Sequence, residues 1–136
     1  MSLVLDSSAT LAWVHGDERT PAIEAVFDVV VAQGAHVPAL WHLEVAGGLA
    51  MAVRRKRVTA AFRDEALADL ADLDVAVDPE THRHAWGATR RLADLHRLSV
   101  YDAAYLELAQ RRRLPLATLD GPLAAAARQA GVEVRP

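Results

Sequence analysis

Ser2-Leu3-Val4-Leu5-Asp6-Ser7-Ser8 opens the chain with a short apolar, β-capable run that stops at an acid and passes through two serines into a helical stretch. The same order of strand, acid and helix returns near the other end, where Leu116-Ala117-Thr118-Leu119 reads as a strand and Asp120 starts the last helix. Between them the pattern alternates. A helix from Pro21 places Ile23, Val26, Phe27 and Val30 on one face and stops at Gly34. A strand over 36–40 precedes a helix over 41–57 that carries Glu44 in its first turn. Thr59 opens a helix to about 73, and a strand covers 74–77. A long helix then runs from Pro79 to about 98, Ser99 begins another through 113, and 132–134 forms the last strand.

Strands alternating with helices predict an α/β fold: one three-layer domain over 1–136, with a mainly parallel, doubly wound sheet of about five strands flanked by helices. No Gly- or Pro-rich linker divides it, and no internal repeat is visible. Sheets of this kind bind ligands beyond the carboxyl ends of their strands, at the point where the connections depart in opposite directions. A flavodoxin-like order would seat the first strand beside the one that precedes Asp120, so that two acids remote in sequence meet.

Composition sets the limits. A chain of 136 residues, 52% apolar and 24% charged, suits one globular domain. The absence of Cys excludes disulfides, thiolate zinc sites and cysteine nucleophiles, so any metal must be held by oxygen or imidazole. The formal charge of −3 carries no nucleic-acid footprint, and any basic surface has to be local. Lys56 is the single lysine among 15 basic residues, a bias assigned to genome composition and given no functional weight. Apolar runs are short and interrupted by charge, and no secretory signal opens the chain, which predicts a cytoplasmic protein with no membrane association.

Four acids fall where such a sheet builds its sites. Each has a plain structural explanation: Asp6 and Asp120 can cap helices, Asp102 stands three residues after Ser99 as in a capping box, and Glu44 suits the positive end of its helix. The set says more than its members. Carboxylates gathered at one edge repel each other, and burial makes this worse, so the cluster calls for a cation. Mg²⁺ prefers oxygen ligands, keeps waters and recruits phosphate, which makes a phosphodiester the natural substrate.

These residues resemble a known family. Leu3-Val4-Leu5-Asp6-Ser7-Ser8 is similar to the opening of a PIN domain, and Trp41-His42-Leu43-Glu44-Val45 to its second acidic motif. The run Ser99-Val100-Tyr101-Asp102-Ala103-Ala104-Tyr105-Leu106-Glu107-Leu108-Ala109 resembles the third, and Pro115-Leu116-Ala117-Thr118-Leu119-Asp120 the fourth. A short stand-alone domain of this kind resembles a VapC-type toxin, the ribonuclease half of a toxin–antitoxin pair. The resemblance implies RNA cleavage dependent on Mg²⁺ or Mn²⁺, a homodimer, and a VapB-type antitoxin as partner. Asp6, Asp102 and Asp120 would hold one Mg²⁺, and Glu44 would complete the site or anchor a second ion. The Ser8 and Thr118 hydroxyls would orient carboxylates, or else serve as ordinary caps and strand hydroxyls.

Two other classes remain open. A phosphoacceptor receiver-like domain shares the topology and Mg²⁺, but needs a Lys after its last strand, and Lys56 lies elsewhere. A catalytically silent interaction module on the same fold would need no complete acidic set. His82 and His84, two apart on a helix, make no zinc motif. Arg54, Arg55, Lys56 and Arg57, like Arg111, Arg112 and Arg113, are expected as solvated helix ends, one run of which would contact RNA phosphates. Trp13, Trp41, Trp86 and Tyr101 are expected to pack in the core, with base stacking or a dimer contact as the alternative. Gly47 and Gly48 are unusual inside a helix and suggest close approach by backbone or ligand.

Overall fold

The computed structural model describes residues Met1–Pro136. Strand β1 (Leu3–Leu5) is its centre: all three side chains are fully buried, so both faces of the sheet are covered there. Around it run β2 (Ala35–Val37), β3 (Val75–Val77), β4 (Leu116–Ala117) and β5 (Val134–Arg135), every pair parallel. The sheet order is β3-β2-β1-β4-β5. The flavodoxin-like order is therefore not the one adopted; the chain steps outward one strand at a time to β3, then crosses back to the other side of β1. The adjacency that matters survives, because the switch point lies between β1 and β4, with Val4 opposite Leu116 and Leu5 opposite Ala117.

The connecting helices are α1 (Ser7–Val14), α2 (Pro21–Gln33), α3 (Trp41–Arg54), α4 (Ala60–Ala71), α5 (Thr81–His84), α6 (Arg90–His96), α7 (Val100–Arg112) and α8 (Gly121–Gln129). Local chemistry explains their ends. The Thr20 and Thr59 hydroxyls accept the backbone N–H groups of Ile23 and Phe62, and Pro21 occupies a first-turn position where its missing N–H costs nothing. Gly34 closes α2 at φ 75°, a left-handed conformation that favours glycine. The strand expected over 36–40 stops at Val37 because Pro38 has no N–H for the ladder.

The long helix expected from Pro79 to about 98 is a break instead. α5 gives way to a π-helical turn over Ala85–Thr89, in which Gly87 is non-helical at φ −110° and ψ −106°, and α6 follows. Trp86 in that turn is 91% exposed and Tyr101 is 65% exposed, so the core expectation fails for both. It holds for Trp41, which is buried, and for Trp13, which stacks on Phe27 with ring centroids 4.5 Å apart. The C-terminal half of α7 also departs from expectation. Arg111 is no solvated helix end: it binds Asp78 beyond β3 and Glu107 one turn back, both nearly buried, with Arg111 Nε donating to Glu107 Oε2 at 2.7 Å. Burial pushes the Asp78 carboxyl up, but the Arg111 hydrogen bonds and charge outweigh it and hold the group below its ordinary value.

α1 and α3 lie against each other. A methyl group on Gly48 would meet the Leu11 side chain at 2.6 Å, whereas one on Gly47 would meet nothing within 4 Å. Of these two helical glycines, Gly48 is the one that serves a close approach.

Candidate functional site

Asp6 ends β1 in extended conformation and its carboxylate caps α1, with Oδ1 accepting the Ala9 N–H at 2.9 Å. Asp120 does the same for α8 through the Leu123 N–H at 2.9 Å. Ser99 caps α7 by accepting the Asp102 N–H at 3.0 Å, which puts Asp102 in the first turn. The capping explanations are thus correct, and they do not compete with a shared site, because caps at the carboxyl edge of one sheet stand next to each other.

A hydrogen-bonded bridge ties the β1 and β4 ends together. Thr118 Oγ1 donates a short bond to Asp6 Oδ2 and accepts the Asp120 N–H at 3.0 Å. Ser8 Oγ donates to Asp6 Oδ1 at 2.8 Å and accepts the Leu119 N–H at 2.9 Å. Both hydroxyls therefore donate to the Asp6 carboxylate, one to each oxygen. Asp6 is 3% exposed with every acceptor bond made to a neutral donor. Burial pushes its carboxyl up to about 6, against the pull of the Ala9, Thr118 and Ser8 bonds, and the Asp102 charge adds to the rise.

Glu44 arrives from the first turn of α3, which Trp41 pins by donating Nε1–H to Thr10 Oγ1 at 3.1 Å; Thr10 in turn donates to the Asp6 carbonyl at 2.8 Å. Glu44 Oε1 accepts the Tyr105 hydroxyl at 2.7 Å and the Ser7 hydroxyl at 3.3 Å. Burial, then the neighbouring Glu44 carboxylate and the charge of Asp6, push the Tyr105 phenol far above its ordinary value. Asp102 is also raised, by burial first and then by the charges of Asp120 and Glu44. Each of the four acids thus exerts or feels the field of another. They are neighbours rather than a finished cage, since no three acidic or histidine side chains are grouped to hold an ion as they stand. The donor chemistry fits a hard divalent cation: oxygen only, several negative charges, and no imidazole among them.

Ser7 and Tyr105 were missed as site residues by sequence reasoning. Tyr105 carried a usable signal, since it stands three residues after Asp102 and so shares its helix face; Ser7 carried none beyond lying next to Asp6.

Residues 3–129 match the PIN domain. Ribonuclease VapC3 of Pyrobaculum aerophilum is 33% identical over 124 residues, 91% of this chain and 93% of that protein. The crystal structure of PAE2754 from the same organism superposes with a TM-score of 0.71 at 23% identity, covering 98% of this chain and 89% of that one. Mycobacterium tuberculosis VapC20, a toxin that cleaves the sarcin–ricin loop, superposes with a TM-score of 0.67 at 22% identity, covering 99% and 100%. With the family match spanning residues 3–129 and a relative one-third identical over nearly the whole length, the chain belongs to the PIN-domain family and groups with its VapC ribonucleases.

Proposed function

We propose that this protein is a Mg²⁺-dependent endoribonuclease, the toxin of a VapBC-type module, working in the cytoplasm as a homodimer held in check by a VapB-type antitoxin. The observation that supports the reading is the bridge from the Asp6 carboxylate through Thr118 to the Asp120 backbone N–H, together with Asp102, which raises Asp6 and is itself raised by the charges of Asp120 and Glu44. Asp6, Asp102 and Asp120 would hold the ion, with Mn²⁺ able to substitute, and Glu44 would complete the site. Bound there, the metal would supply a water of lowered pKa and neutralise charge on the phosphate oxygens. The protein's own groups do the positioning. Thr118 and Ser8 aim the Asp6 carboxylate, while Tyr105 and Ser7 occupy Glu44 Oε1 and leave Oε2 to take a proton from the attacking water. The exposed apolar side chains Trp86, Leu95, Val100 and Tyr101, between the π-helical turn and the start of α7, would supply surface for the dimer. No helix is long and apolar enough to cross a membrane.

A receiver-like phosphoacceptor is disfavoured because Lys56 sits in the turn after α3, not after a C-terminal strand of the sheet. A silent interaction module has no use for a buried Asp6 and a half-buried Asp102 whose carboxyls are raised by burial first and by neighbouring acids in addition. The test is RNA cleavage with Mg²⁺ and with EDTA, by the wild type and by Asp120→Asn. Cleavage that needs the metal and disappears in the variant is expected; cleavage that survives either change refutes the reading.

A further inference from the structure

A groove of about 700 Å³ opens between α1 and α3, starting at the acidic edge. Ser8, which bonds Asp6, and Leu119, which precedes Asp120, line its inner end; Leu11 and Ala52 form an apolar floor, and Arg55 stands at the outer end beside the Arg57–Glu18 ion pair. From Glu44 to Arg55 the helix path is roughly 16 Å at 1.5 Å per residue. The outer end is the basic corner of an acidic chain. Arg57 is occupied, pairing with Asp17 and Glu18 at 3.1 Å, whereas Arg54, Arg55 and Lys56 have no carboxylate partner within salt-bridge distance. A helix C-terminus is equivalent to about −0.5 charge, which one cation satisfies. Three unpaired cations at one helix end therefore leave a positive excess that a solvated helix terminus does not need.

We propose that this groove carries the RNA strand that runs into the acidic edge, with bases over the apolar floor and Arg55 gripping a backbone phosphate at the outer end. The proposal rests on the ribonuclease reading and adds the path of the substrate. Charge favours RNA over a protein segment as occupant: the anionic strand is repelled by the acids wherever no cation is bound, and Arg55, the one unpaired cation of the lining, lies at the far end of the groove with Arg54 and Lys56 beside it in sequence. Groove contact is not chemistry, so Arg55 should affect binding and leave the bond-breaking step alone.

The test uses a fluorescein-labelled single-stranded RNA oligomer and the cleavage-deficient Asp120→Asn protein, titrated across salt concentrations by fluorescence anisotropy. Adding Arg55→Gln should weaken binding several-fold and reduce the slope of log affinity against log salt by about 0.7, the value for one phosphate contact on a single strand. Arg128→Gln, at the end of α8, removes the same charge and should change neither. In the otherwise wild-type protein Arg55→Gln should raise KM and keep kcat. An unchanged slope for Arg55→Gln, and for the joint replacement of Arg54, Arg55 and Lys56, overturns the proposal while metal-dependent cleavage leaves the ribonuclease reading standing. Loss of antitoxin binding with RNA binding intact overturns it in favour of a protein occupant. Equal losses for Arg55→Gln and Arg128→Gln overturn it as general surface charge. If the wild type neither binds nor cleaves RNA, both readings fall.

Discussion

Replacing Asp6 by Asn should make the metal-free protein more stable at neutral pH and unable to cut RNA. In the fold the Asp6 carboxyl is raised from 3.8 to about 6, chiefly by burial. For an acid raised in this way, folding favours the protonated form, so its contribution is fully present below pH 3.8 and is lost as pH rises through about 6. At 1.36 kcal/mol per unit, the ionised group costs on the order of 3 kcal/mol above that range. Asn keeps the shape and both acceptor bonds to Oδ1, but its neutral oxygen accepts more weakly, and Thr118 must turn its hydroxyl to face an amide N–H; together these return about 1 to 2 kcal/mol. The net gain at pH 7.5 is about 1 to 2 kcal/mol, or roughly 3 to 8 °C in Tm for a chain of this size. At pH 4.5 it should vanish or reverse. Thermal melts of wild type and Asp6→Asn in EDTA at both pH values, followed by Mg²⁺ titration, measure this; Mg²⁺ should raise the Tm of the wild type and leave the variant unmoved. A loss of several degrees in Asp6→Asn, equal at both pH values and indifferent to Mg²⁺, would mean that the carboxylate is only the cap of α1.

Tyr105→Phe removes the donor that holds Glu44 Oε1 at 2.7 Å. We expect kcat to fall about tenfold and more Mg²⁺ to be needed, with RNA affinity unchanged, as is typical when a group that orients a metal-binding carboxylate is lost; an unaltered kcat and metal dependence would remove Tyr105 from the site. Gly47→Ala should stabilise the protein by up to about 1 kcal/mol, the helix-propensity difference, because nothing stands in the way of the methyl group. Gly48→Ala should gain less or lose stability, since it displaces Leu11, and denaturant melts giving equal gains would contradict the packing of α1 on α3. The antitoxin should inhibit by placing an Arg among the acids, because a guanidinium satisfies carboxylates as a cation does. Raising Mg²⁺ should then weaken inhibition, and inhibition that survives both high Mg²⁺ and replacement of every pocket-facing Arg of the partner would exclude charge substitution.

Much of the candidate site's local geometry was legible because caps are local. Asp6, Ser99 and Asp120 each bond a backbone N–H three residues ahead, within reach of spacing arguments. The periodicity of α2 and the strand–acid–helix order of the two ends likewise depend on neighbours in sequence. The misreadings have the opposite character. Gly87 lay inside a pattern that reads as continuous helix, and the break there places Trp86 in solvent although its residue type prefers burial. Arg111 looked like one more cation at a helix end, yet its partner Asp78 is 33 residues away and stands beyond a different strand.

What the sequence determined by itself was the α/β class, the sites of strand ends and caps, and the choice of Asp6, Glu44, Asp102 and Asp120 as the candidate acids. Tertiary structure alone decided the order β3-β2-β1-β4-β5, the bridge from Asp6 to Thr118 across 112 residues, and the Tyr105 hold on Glu44 across 61. The reason is one of range. A cap or an amphipathic face is stabilised by atoms within about one helical turn, whereas strand order and cross-sheet contacts follow from burial and loop closure summed over the whole chain, where residues far apart in sequence compete for the same neighbours.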